Sequence, residues 1–164
     1  MKRILSVVIG MMVAAGTLCA CAPAAETPAV LPVEAVSSAD EMSEKLGFTM
    51  ETLSMDGYEA ARFEILDGEM GQITYENQDG RILRLRVQDV SDDICGIEGA
   101  KDAGMHKIGK HDIWLGYLDG TQIAQWGDDG FTYCLIGENF GGMGRKPFKE
   151  AVAALEKQIE ARRE

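Results

Sequence analysis

His106 and His111 are the two histidines of this 164-residue chain, and imidazole is the side chain best suited to binding a transition metal or moving a proton near neutral pH. Asp102, Asp112 and Cys95 lie near them in sequence and could complete a ligand set. The spacing argues otherwise. Five residues apart, the two rings would sit on different faces of a helix, and no H-E-x-x-H repeat occurs. No metal and no cofactor are therefore expected, and no catalytic residue is nominated.

Other candidates for chemistry fall on the same kind of test. Gly137-Glu138-Asn139-Phe140-Gly141-Gly142-Met143-Gly144-Arg145-Lys146 is rich enough in glycine to suggest a phosphate loop. Its glycine spacing is wrong, however, and Pro147 stands where Ser or Thr should follow Lys146. It reads as a mobile loop. Asp128 and Asp129 lack the spacing of a calcium loop and read as turn residues. Acidic residues are too many and too scattered to single out an acid–base pair. No G-x-S-x-G or S-x-x-K context marks a serine nucleophile. Arg62, Arg84 and Arg86 would form a cationic stripe on one strand face, with Glu64 and Glu76 placed to pair with it.

Cysteine carries the strongest signal. Residues 17–30, TLCACAPAAETPAV, follow a positive Lys2-Arg3 and an uncharged run from Ile4 to Leu18. That run is shorter than the roughly 20 residues a membrane span needs and matches a secretory signal core. Leu18-Cys19-Ala20-Cys21 resembles a bacterial lipobox, with a large apolar residue three places before the cysteine and a small one just before it. Cleavage before Cys21 would leave its thiol to carry diacylglycerol, and several acyl chains hold a protein firmly on a membrane. Residues 1–20 are then signal peptide, 21–36 a flexible tether, and 37–164 one folded domain. Cys95 and Cys134 remain. An exported compartment permits a disulfide between them, and two separate buried thiols are the other reading.

Charge narrows the partners. Sixteen Lys and Arg against 27 Asp and Glu give a net charge of −11, and loss of Lys2 and Arg3 with the signal makes it −13. Such a surface repels nucleic acid, so no nucleic-acid partner is expected.

The elements that would position these residues form an α+β pattern. Residues 37–48 read as a short helix, with Ser38 and Glu41 as a capping box and Gly47 as its stop. Tyr58–Leu66, Gln72–Glu76 and Arg81–Gln88 alternate as strands around Asp67-Gly68 and Asp79-Gly80, with Ala61, Phe63 and Ile65 sharing the inward side of the first. One face of this meander should be buried and the other wet. Residues 89–111 follow neither period and read as a connection. Asp112–Leu118, Thr121–Trp126 and Phe131–Ile136 form a second meander, apolar on both sides, which places it centrally under a helix. Pro147 then suits the first position of a closing helix, whose Phe148, Val152, Leu155 and Ile159 share a face and which should fray near Arg162. The expected architecture is a curved antiparallel sheet of about six strands, in two three-stranded meanders, with N- and C-terminal helices packed on one face.

The stretch Ile123-Ala124-Gln125-Trp126-Gly127-Asp128-Asp129-Gly130-Phe131-Thr132-Tyr133-Cys134-Leu135 resembles the A-x-W-x-x-x-G-[FY]-x-Y-x-L signature of the DUF4367 domain family, and Lys45-Leu46-Gly47-Phe48 is similar to that family's start. The prolines common after that start are absent from Thr49-Met50-Glu51-Thr52. The resemblance implies an exported or membrane-tethered bacterial protein and no established catalytic residues. Trp126, Gly130 and Tyr133 are then structural, the aromatic pair flanking a tight turn. The reading that results is a lipid-anchored extracytoplasmic binding or sensor protein. Its partners would be the membrane, through the anchor, and an envelope protein or peptide met by Met105, Phe140 and Met143. A metal-dependent or other envelope hydrolase using the His106/His111 region, and a purely structural spacer, are the alternatives.

Overall fold

A computed structural model describes residues 31–90, 92–140 and 145–162, without side-chain detail at 102, 103 and 145. The signal segment, Cys21, Met143 and the rest of 141–144 lie outside the described residues. The elements run β1 (Val33–Val36), α1 (Ala39–Leu46), β2 (Tyr58–Leu66), β3 (Met70–Asn77), β4 (Ile82–Gln88), β5 (Lys101–Ile108), β6 (His111–Leu118), β7 (Thr121–Asp128), β8 (Phe131–Glu138) and α2 (Arg145–Ala161). The protein is α+β, and its eight strands form one open antiparallel sheet in the order β1-β2-β3-β4-β8-β7-β6-β5.

The sheet has eight strands where the sequence pattern suggests about six, and both additions are edges. β1 falls within the stretch read as tether. It pairs with β2 from Val33↔Leu66 to Val36↔Phe63 while exposing most of its side chains, so the folded unit begins before Ser37. β5 falls within the stretch read as a connection. Its pairing with β6 slips between Asp102 and Gly104, which breaks the two-residue alternation that marks a strand. Edge strands need not bury either face, and here Pro32 before β1 and Lys101 and Lys107 on β5 discourage further pairing.

Turn chemistry sets the register. Asp67-Gly68, Asp119-Gly120 and Asp129-Gly130 all have positive φ at both positions, the type I′ geometry that matches strand twist. The Asp79-Gly80 hairpin is looser. The Gly80 amide donates to Asn77 O, and Asn77 Oδ1 accepts from the amides of Asp79 and Arg81. In β2 the register shifts between Ala60 and Arg62, so Ala61 is exposed, not inward.

One face of the sheet carries the main core. Ile73, Tyr75, Leu83, Leu85, Val87, Ile113, Leu115, Trp126, Tyr133 and Leu135 are buried there together with Met42 of α1 and Phe148, Val152, Leu155 and Ile159 of α2. Ser38 caps α1 by accepting from the Glu41 amide, while the Glu41 carboxylate accepts from the amide and hydroxyl of Ser37. Those contacts hold the Glu41 carboxyl below its ordinary pKa. Pro147 is the third residue of α2, still inside the first turn where its missing N–H costs nothing. The far end of α2 is tied down: Arg162 donates to Glu51 and Thr52, and Gln158 exchanges two hydrogen bonds with the Ser54 backbone.

The other face is not simply wet. After β4 the chain crosses it to reach β5 at the far edge. Ile94 and Cys95 of this crossing segment pack with Ile123, Cys134 and Ile136, with Val90, Ile97 and Trp114 around them. This explains why the second meander is apolar on both sides. One side meets the helix-covered core, the other meets the crossing segment.

Candidate functional site

The crossing segment is fastened at two points. Cys95 and Cys134 form a disulfide, with Cα atoms 5.8 Å apart, joining it to β8. Beside it Arg86 donates through Nη1 to Cys95 O at 2.5 Å and Ile94 O at 3.2 Å, and through Nε to Gln72 Oε1 at 2.8 Å. Burial, reinforced by neighbouring Arg84, pulls the Arg86 guanidinium below its ordinary pKa.

The arginine stripe is thereby occupied. Arg84 pairs with Glu138, Arg62 lies 3.7 Å from Glu76, and Gln72 Nε2 donates to Glu64 at 2.8 Å. Carboxylates on neighbouring strands pair with Arg84 and Arg62, while Arg86 is held by the neutral acceptors of Gln72, Ile94 and Cys95.

Of the sequence-nominated metal set, the structure brings none of the members whose side chains are described together with His111. Asp112 alternates to the exposed side of β6. Cys95 is in the disulfide. Asp102 lies outside the side-chain description. His106, two residues before the β5 end, accepts from Lys149 Nζ at 3.3 Å, in a groove also lined by Lys107, Ile108, Lys146, Glu150 and Ala153. The contact residues divide as well: Met105 is 61% exposed, whereas Phe140 is buried edge-on against Phe148.

His111 instead meets residues from distant parts of the chain. It opens β6 immediately after the Gly109-Lys110 turn. Its Nδ1 lies 3.1 Å from Glu156 Oε1 on α2, and its Nε2 lies 3.2 Å from Asp128 Oδ1 at the end of β7. Glu156 is only 3% exposed, and the same Oε1 accepts the Lys110 amide at 3.1 Å. Glu160, one turn further along α2, lies 3.2 Å from Lys110 Nζ. One ligand atom from each of His111, Glu156 and Glu160 falls within 4.8 Å of the others. Gly109 makes room: its φ is +55°, and a Cβ there would stand 2.2 Å from the Glu156 carboxylate oxygens.

Sequence reasoning found His111 but not its partners. The helical period shows Glu156 as an acidic residue beside the apolar face. Nothing local shows that the β5–β6 turn ends against that spot, because the contact spans 45 positions.

Trp126 and Tyr133 face each other across β7 and β8, ring centroids 5.4 Å apart and planes 12° from parallel. Gly130 closes the turn between them at φ +85°. No family model, curated protein or solved structure matches the chain. Among the described residues no helix is long and apolar enough to cross a membrane.

Proposed function

We propose that this chain is a lipid-anchored extracytoplasmic protein of the DUF4367 type, whose folded body binds or senses a partner instead of catalysing a reaction. The observation that carries the reading is the Cys95–Cys134 disulfide. A structural disulfide suits an oxidising, exported compartment. That is also the destination encoded by Lys2-Arg3, the apolar run and the Leu18-Cys19-Ala20-Cys21 box. Cys21 is the lipidated residue, and the residues between it and β1 serve as the tether.

The partner reading rests on Met105. It lies 61% exposed on edge strand β5 and borders a cleft also lined by Asp92, Asp93, Asp112, Gln125 and Thr132. Three carboxylates around a thioether suit a peptide or envelope protein that offers an apolar side chain beside a basic one.

The anchor is tested by mass spectrometry and fractionation of the expressed chain. The expected result is a mature N-terminus at diacylated Cys21, recovered with membranes, and release of Cys21→Ser into the soluble fraction. An unacylated mature chain starting at a later alanine would overturn the reading. Cross-linking from position 105 tests the partner: Met105→Asp should abolish a cross-linked band that the wild-type chain gives.

A further inference from the structure

The structure assigns His111, Glu156 and Glu160 as the ligands of a divalent transition-metal site, with Asp128 holding the imidazole from behind. The inference is independent of the lipid anchor, since it rests only on the folded body.

Tetrahedral zinc with bonds of about 2.0–2.2 Å holds its ligand atoms roughly 3.3 Å from one another. His111 Nδ1 and Glu156 Oε1 already stand 3.1 Å apart, and a Glu160 oxygen completes a set spanning no more than 4.8 Å. The two glutamates are four residues apart on α2, which stacks them on one helix face. Metal-binding histidines characteristically donate their second N–H to a carboxylate, which fixes the tautomer and aims the other nitrogen at the ion. Asp128 Oδ1, 3.2 Å from Nε2, occupies that place. With the proton held on Nε2, Nδ1 presents its lone pair toward Glu156.

Burial and charge agree with this assignment. Glu156 is nearly inaccessible, and its Oε1 accepts the Lys110 amide and faces His111 Nδ1. Two carboxylates and a neutral imidazole leave a net negative cage for a dication. The Lys110 ammonium sits 3.2 Å from Glu160 and is itself more than half exposed, so it can swing into solvent as the ion enters. If Nδ1 carries a proton beforehand, that proton passes to solvent as the metal–nitrogen bond forms, and Nε2–H stays on Asp128. One nitrogen with two oxygens favours zinc and its transition-metal neighbours over calcium or magnesium, which prefer all-oxygen shells. Bound there, the ion would clasp α2 to the β5–β6 turn and, through Asp128, to the end of β7.

The test is equilibrium dialysis and thermal melting of the oxidised full chain against Zn²⁺, with Ca²⁺ as the control ion. Expected are one tightly held Zn²⁺ per chain, a rise in Tm with Zn²⁺ and none with Ca²⁺. Glu160→Gln keeps the His111 bridge to Glu156 and Asp128, so its metal-free Tm should match wild type while its Zn²⁺ affinity falls at least tenfold. His106→Ala should bind as wild type does. Absence of Zn²⁺ uptake, or equal uptake by Glu160→Gln, overturns the assignment and leaves His111 as an ion-pair bridge between two carboxylates.

Discussion

Gly109 and Glu156 are fitted to one another: the carboxylate of the helix residue fills the space a β-carbon on the turn residue would need, 2.2 Å from its ideal position. Any larger residue at 109 must therefore push α2 away from the β5–β6 turn or expel a buried charge. Gly109→Ala adds the left-handed backbone cost to this clash and should lower stability on the order of 2–4 kcal/mol. Gly99 also has positive φ, but nothing lies within 4 Å of a Cβ there. Gly99→Ala should cost only about 1–2 kcal/mol. Urea unfolding of the two variants measures the difference, and equal losses would refute the steric account.

The two fastenings of the crossing segment should not act independently. Removing the disulfide by Cys134→Ala should cost about 3–4 kcal/mol for a loop of this length in the chain-entropy description. Arg86→Ala abandons two backbone carbonyls and the Gln72 amide oxygen. Once either is gone, the segment detaches more easily and the other holds less. A double-mutant cycle should show a coupling of at least about 0.5 kcal/mol, and limited proteolysis should cut the double variant within residues 89–100.

Trp126 combines a favourable stack with a buried indole N–H that has no hydrogen-bond partner among the described residues. Trp126→Ala should cost about 3–5 kcal/mol through lost volume. Trp126→Phe keeps an aromatic face against Tyr133 and removes the unsatisfied donor, so it should fall within roughly 1 kcal/mol of wild type. Thermal melting distinguishes them, and a Phe variant as damaged as the Ala variant would contradict the reading.

Alkaline stability should report on Tyr75. Burial pushes its phenol up to about 12, and the Leu53 amide donating to its oxygen only partly offsets this. The folded pKa is raised above the unfolded one, so the contribution is fully present below about pH 10 and lost as pH climbs toward 12. Tyr75→Phe should be less stable at neutral pH, having lost the acceptor for Leu53, yet decline less between pH 10 and 12. Parallel declines in both proteins would assign the alkaline loss elsewhere.

The parts of the fold that were legible in the sequence are those where local chemistry decides. Ser38, Glu41 and Gly47 bracket α1, the Asp-Gly pairs mark hairpins, and Leu83, Leu85 and Val87 alternate inward in β4. β1 and β5 were not, because an edge strand can form hydrogen bonds without burying an alternating face, and β5 also slips register at its second residue. The second meander's two apolar sides point to a place beneath a helix, and no pattern announces the loop that lies across the other side of the sheet. The His111 cluster was half visible. The imidazole stands out in any sequence, whereas the carboxylates that meet it are drawn in by the packing of α2.

The pairing of β4 with β8 has a consequence for how the molecule is made. The earlier hairpins keep an open seam until Phe131–Glu138 arrives, and α2 comes later still, so a chain delivered amino end first cannot shut its sheet midway. Closure of the sheet therefore waits for its last strand, an order of events compatible with the export route proposed above.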